Sequence, residues 1–103
     1  MGKVNICGIP YTIKLVQDEF DAVAHHYGQA NLSKAEFVIN TNCNIHIQEE
    51  TLRHEILHAI FTHIGREDLS NDEQLVQSLA NAIYQTFDVR IDDSEETQPE
   101  NDI

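Results

Sequence analysis

The chain has 103 residues, the size of one small domain, and 41% of them are hydrophobic, which supports a modest core. Its formal net charge is -12, from 18 carboxylates against 6 basic residues, and a surface of that sign argues against a nucleic-acid backbone as ligand. No apolar run approaches the ~20 residues of a membrane-spanning helix, and MGKVNICGIP lacks the basic and then apolar regions of a secretory signal, so a cytoplasmic protein is expected. Cys7 and Cys43 are too few for a disulfide framework and stand outside any C-x-x-C spacing, which fits reduced thiols.

Along the chain the hydrophobic period changes once, from two to about three and a half. Lys3–Ile6 and Ile9–Val16 alternate as two strands of a hairpin, with Cys7-Gly8 as its two-residue turn. Pro10 has no N–H to give a ladder and points to an edge position. Residues 17–26 read either as a loop or as a short helix. YGQAN and AEFVINT, on either side of the turn-like LSK, form a second antiparallel pair. A helical pattern starts at Gln48 and ends near Gly65, a residue suited to a C-terminal cap. After the polar connection REDLSND a second helix is expected from Asp72 to Phe87, capped by Ser70 or Asn71. These elements predict an α+β domain over residues 1–90, a small antiparallel sheet of three to four strands followed by two helices. Residues 91–103 are expected to be a disordered tail: from Asp92 onward they hold six carboxylates, no base and too little apolar surface to bury.

The first helix contains TLRHEILHAIFTHIG, residues 51–65, with His54, Glu55 and His58 in the pattern H-E-x-x-H. Four residues along a helix make about one turn and ~6 Å of rise, so both imidazoles project from one face and can converge on one ion. Glu55 sits about 100° around from His54, beside such an ion, where a carboxylate can hold and deprotonate a water bound to it. Neutral imidazoles suit zinc, and an open fourth position leaves room for that water. Leu52, Ile56, Leu57, Ala59, Ile60, Phe61 and Ile64 spread apolar surface around most of the helix, the pattern of a helix enclosed by the protein. Polar groups inside such a helix need partners, and a metal supplies them; two core histidines with ordinary hydrogen bonds are the alternative.

The segments GIPYTIKLV, TLRHEILHAIF and DEQLVQSLANAIYQ resemble the short HExxH proteins of phages and prophages, related in pattern to the ImmA/IrrE family of zinc metallopeptidases, over most of residues 6–87. The resemblance implies a zincin-like core, two histidine ligands from the first helix and an acidic ligand from the second, as in gluzincins, and hydrolysis of peptide bonds in a bacterial host's cytoplasm. In that family the acidic ligand stands three residues before an Ala-Asn pair. Here Ala80-Asn81 puts Gln77 at that place, and an amide oxygen is a poorer zinc ligand than a carboxylate. Glu73, one turn earlier on the same helix face, is the expected third ligand, with Gln77 the alternative.

The other candidates stand further from the site. His63 is rotated off the ligand face and reads as an exposed helix-end residue; His25, His26 and His46 read as surface residues. Tyr84 lies about 10 Å beyond Gln77 along its helix, and neither it nor Tyr27 is well placed to stabilise an oxyanion. Two functions are therefore expected. One is a zinc peptidase with metal on His54, His58 and Glu73, water activated by Glu55, and a peptide or protein substrate laid beside an edge strand such as Ala35–Thr41. The other is a non-catalytic metal-binding protein of phage origin whose acidic surface engages a basic host or phage partner.

Overall fold

Two consecutive residues with positive φ, Cys7 at 52° and Gly8 at 88°, make the tight turn that joins β1 (Gly2–Ile6) to β2 (Ile9–Val16). That pair of conformations matches the right-handed twist of the flanking strands, and the register runs from Ile6↔Ile9 at the turn to Gly2↔Ile13. The computed structural model describes residues 2–17 and 27–87. The readings made for residues 18–26 and for the acidic tail lie outside these residues.

β3 (Gly28–Asn31) and β4 (Glu36–Asn40) form a second antiparallel pair. Asn31 anchors their turn, its Oδ1 accepting from the Ser33 hydroxyl and the Lys34 amide. The strand order is β1-β2-β4-β3, and β2 and β4 run parallel, so the sheet is mixed where an antiparallel one was expected. Each hairpin is specified by its own turn and alternation. How two hairpins join is decided by remote contacts, among them Thr12 N–H to Ala35 O at 2.9 Å and Thr41 N–H to Val16 O at 2.7 Å. β4 is therefore internal, and β3 is the edge beside it, which corrects the expectation that Ala35–Thr41 borders open solvent. Pro10 lies on an internal strand but beyond the reach of β4, whose pairing with β2 begins at Thr12. Its missing N–H therefore breaks no bond on that side.

Three helices follow: α1 (Ile45–His63), α2 (Glu67–Ser70) and α3 (Glu73–Thr86). α1 begins three residues earlier than its periodicity indicated, because the Asn44 side chain accepts from the His46 amide and caps it. It ends as Gly65 predicts. Gly65 has φ +80°, its N–H bonds Thr62 O at 3.0 Å, and the Arg66 N–H bonds Phe61 O at 2.8 Å, the paired closure of a Schellman motif. The polar connection contains the extra turn α2, and the cap of α3 is Asp72, which accepts from the Leu75 amide, in place of Ser70 or Asn71.

α1 buries two sides. Leu52 and Ala59 join Ile6, Tyr11, Ile13, Phe37 and Ile39 in a core against one face of the sheet, where Tyr11 and Phe37 stack with ring centres 4.8 Å apart. Leu57 and Phe61 pack with Val76 and Ala80 of α3. A helix apolar on most sides is thus enclosed between sheet and α3, and its remaining polar stripe falls at the junction of the two.

Gly28 is fixed by close approach. A Cβ there would stand 2.7 Å from Val38 O and 2.8 Å from Thr51 Cγ2, one on β4 and one on α1. Gly28→Ala should therefore destabilise the fold by ~1–3 kcal/mol in urea unfolding, the range for overpacking. Gly2→Ala, whose nearest neighbour would be 3.8 Å away, should leave the midpoint unchanged. Equal midpoints for the two variants would show that β3 is not held this tightly on α1.

Candidate metal centre

The bend at Gly65 turns the chain back, so that α2 and the first turn of α3 come alongside the second half of α1. His54 and His58, one turn apart on α1, meet Glu73, the first residue of α3. His54 Nε2 lies 2.9 Å from Glu73 Oε1, His58 Nε2 lies 3.3 Å from the same oxygen, and the two Nε2 atoms are 3.1 Å apart. Two donors bound to one zinc at 2.0–2.1 Å in tetrahedral geometry are about 3.3–3.4 Å apart, so these three atoms are spaced as the corners of such a site. Among the described residues, these three are the group of His, Cys, Asp and Glu whose donor atoms gather closely enough to hold an ion.

The other nitrogen of each imidazole is engaged. His54 Nδ1 is 2.9 Å from Gln77 Oε1. The Gln77 amide nitrogen donates to Glu50 Oε2 at 2.8 Å, and because a carboxylate only accepts, the amide oxygen must face His54. His54 therefore carries its proton on Nδ1 and gives it to Gln77. His58 Nδ1 is 3.1 Å from Ser70 Oγ, which also lies 3.5 Å from the His58 carbonyl. In the tautomer with the proton on Nδ1, each ring turns its Nε2 lone pair toward the Glu73 oxygen. Such a cluster is stabilised by a proton on one ring nitrogen donating to Glu73, or by a cation bound among the three atoms.

Gln77 thus stands behind His54 and not at the corner of the triangle, which Glu73 occupies. Ser70 had been read only as a helix cap, and the pattern gave no sign of its bond to His58. It is buried, 7% exposed, at the end of α2. The Glu73 side chain is 68% exposed against 22% and 20% for the histidines, so solvent reaches the triangle past the carboxylate.

A pocket of about 260 Å³ adjoins His54, lined also by Tyr27, Gly28, Glu50, Thr51, Glu55 and Gln77. Glu55 is half-buried in its wall. Tyr27, just before the edge strand β3, stands in the same wall, which sequence spacing had not brought near the helix. Tyr84 is far from this pocket in role: its ring lies over the Arg53 guanidinium, with Cζ 3.9 Å from the ring centre. His63 is exposed at the helix end, as expected, and its Nε2 is hydrogen-bonded to the Tyr11 hydroxyl at 2.6 Å. Burial pushes the Tyr11 phenol above its ordinary range. His46 is exposed, Cys7 and Cys43 are free thiols, and no helix of the described residues is long and apolar enough to cross a membrane.

Compared with protein-family models, curated proteins and solved structures, the chain has no match. The likeness to the ImmA/IrrE pattern rests on the three quoted segments.

The two tautomers give a direct check. Long-range ¹⁵N–¹H correlation spectra of the protein at pH 8 with one equivalent of zinc should show His54 and His58 protonated on Nδ1. A proton on Nε2 of either ring under those conditions would refute the arrangement.

Proposed function

We propose that the protein is a zinc-dependent hydrolase of peptide bonds, with the ion on His54, His58 and Glu73. The observation that carries this reading is the convergence of two Nε2 atoms and one carboxylate oxygen, each Nδ1 being engaged from behind. Two imidazoles and one carboxylate are the donor set of catalytic zinc sites, which keep a fourth position open. The ion would lower the pKa of a water held there and polarise the substrate carbonyl.

The chain's own groups would supply the rest. Glu55, in the wall of the adjoining pocket, takes a proton from the attacking water and delivers it to the leaving amine. Gln77 and Ser70 fix the imidazole rings, and Glu50 holds the Gln77 amide in the orientation that accepts from His54. Tyr27 offers a phenolic O–H in the same pocket, a donor for charge developing on the carbonyl oxygen. The pocket's border on β3, the edge strand, supports an extended peptide as substrate.

The metal is tested by elemental analysis after dialysis, which should find about one zinc per chain in the intact protein and none in His54→Ala or His58→Ala. Glu73→Ala should weaken zinc binding further than Gln77→Ala, for which about 10- to 100-fold is expected from loss of ring orientation. No zinc in the intact protein, and no rise in thermal midpoint on adding it, would end this reading.

The chemistry is tested at Glu55. Glu55→Gln should keep zinc and fold while lowering peptide hydrolysis by about 10²- to 10⁴-fold, because the amide cannot take the proton. Undiminished hydrolysis in that variant would remove Glu55 from the mechanism. A biological effect that survives loss of hydrolysis would mark the protein as one that acts by binding.

A further inference from the structure

The pocket beside His54 is selective in its composition. Among the described residues, its wall holds two carboxylates, Glu50 and Glu55, and no lysine, arginine, leucine, isoleucine or valine. An apolar side chain entering there would strip water from the carboxylates and return no hydrogen bond, and an acidic one would meet like charge. A cation is the entrant that this wall favours.

Glu55 acts in the reaction proposed above, which leaves Glu50 to meet the substrate. Glu50, His54 and His58 follow one another at intervals of four residues on α1, so Glu50 stands one turn, ~6 Å, from His54 on the side away from His58. Among the described residues its hydrogen bond is the one that Oε2 accepts from the Gln77 amide at 2.8 Å, and a carboxylate has about four acceptor sites. That bond also holds the carboxylate in place, so little side-chain freedom is lost when it pairs with a ligand. Glu50 is half-buried, where a charge pair is screened less than on an open surface. A side chain that starts beside a carbonyl held at the candidate centre has to be long to arrive at Glu50. Lysine and arginine combine that length with a positive charge, and the planar fork of arginine suits a carboxylate better. Resting on the hydrolase reading of the same centre, we propose that Glu50 makes the protein selective for a basic residue, arginine above lysine, next to the peptide bond it cleaves.

Binding and cleavage are measured separately. For binding, the intact chain is titrated with N-acetyl-arginine amide in excess chelator and 0.15 M salt, so that neither zinc nor turnover is needed. Saturable NMR shifts are expected at the backbone amides of Gly28 and Thr51 and at the Gln77 side-chain amide. N-acetyl-citrulline amide, of nearly the same shape but uncharged, should bind at least about tenfold more weakly. Glu50→Gln, which can still accept from Gln77, should bring the two ligands level. Equal binding of the two by the unaltered protein, shifts confined to other residues, or no saturation by about 10 mM would overturn the proposal. So would a preference that survives Glu50→Gln, which would come from the charge of the whole protein. For cleavage, the zinc-loaded protein is given peptide libraries that differ only in carrying arginine, norleucine or glutamate at one position. Cuts next to arginine should proceed with kcat/KM at least about tenfold above those next to norleucine, and Glu50→Gln should bring that ratio to about one. The ratio is taken within each protein, so a lower overall rate in the variant does not enter it. Cleavage without a basic preference would overturn the proposal and leave the hydrolase standing. Binding of the arginine ligand through Glu50 with no peptide cleaved would end the hydrolase reading, and would replace selective cleavage with recognition of a basic side chain alone.

Discussion

The candidate site depends on α1 being held from two sides at once. Against the sheet it is fixed by Leu52 and Ala59, and against α3 by Leu57 and Phe61, so its rotation about its own axis is set before any polar contact is counted. That rotation aims His54 and His58 at the seam where α2 and α3 return. The apolar contacts are non-directional, and the aim comes from their distribution around the helix. The hydrogen bonds to Gln77 and Ser70 then fix the ring planes.

A neutral side chain behind His54 has a physical logic that its position in the pattern conceals. Gln77 stands between an imidazole N–H and the Glu50 carboxylate, and only an amide can accept from the first while donating to the second. A carboxylate in its place would face Glu50 across a hydrogen-bond distance as a like charge. The glutamine that reads as a weak ligand is well matched to a bridging role. Glu73 brings charge to the triangle from the first turn of α3, where the helix dipole favours an anion.

What the sequence made legible was local. Cys7-Gly8, Gly65 and the alternation of Ile9–Val16 each carry their meaning within a few residues, and the structure contains the turn, the helix end and the strand they announce. The coming together of His54 and His58 follows from helical spacing alone. Glu73 could be preferred to Gln77 on charge, because the choice turned on side-chain chemistry. The parallel pairing of β2 with β4, the bond from Ser70 to His58 and the entry of Tyr27 into the pocket wall had no local signal. Each depends on how separate elements dock, and docking is decided by packing summed over the whole core. The shift of the α3 cap from Ser70 or Asn71 to Asp72 is of another kind. Three adjacent residues of cap-forming type compete there, and the extra turn α2 decides among them.

The mixed sheet has a kinetic consequence. Each hairpin closes a loop of only a few residues, whereas Thr12 must find Glu36 across 24 positions of chain before the parallel ladder can form. Loop closure of that length loses entropy before its contacts return any stability, so the two hairpins can form quickly and their union sets the pace. α1 packs on the sheet close to that union, with Phe37 and Ile39 from β4 and Ile13 from β2 beneath Leu52 and Ala59. The orientation of the histidines therefore rests on the strand pairing that spans the most chain among the described residues.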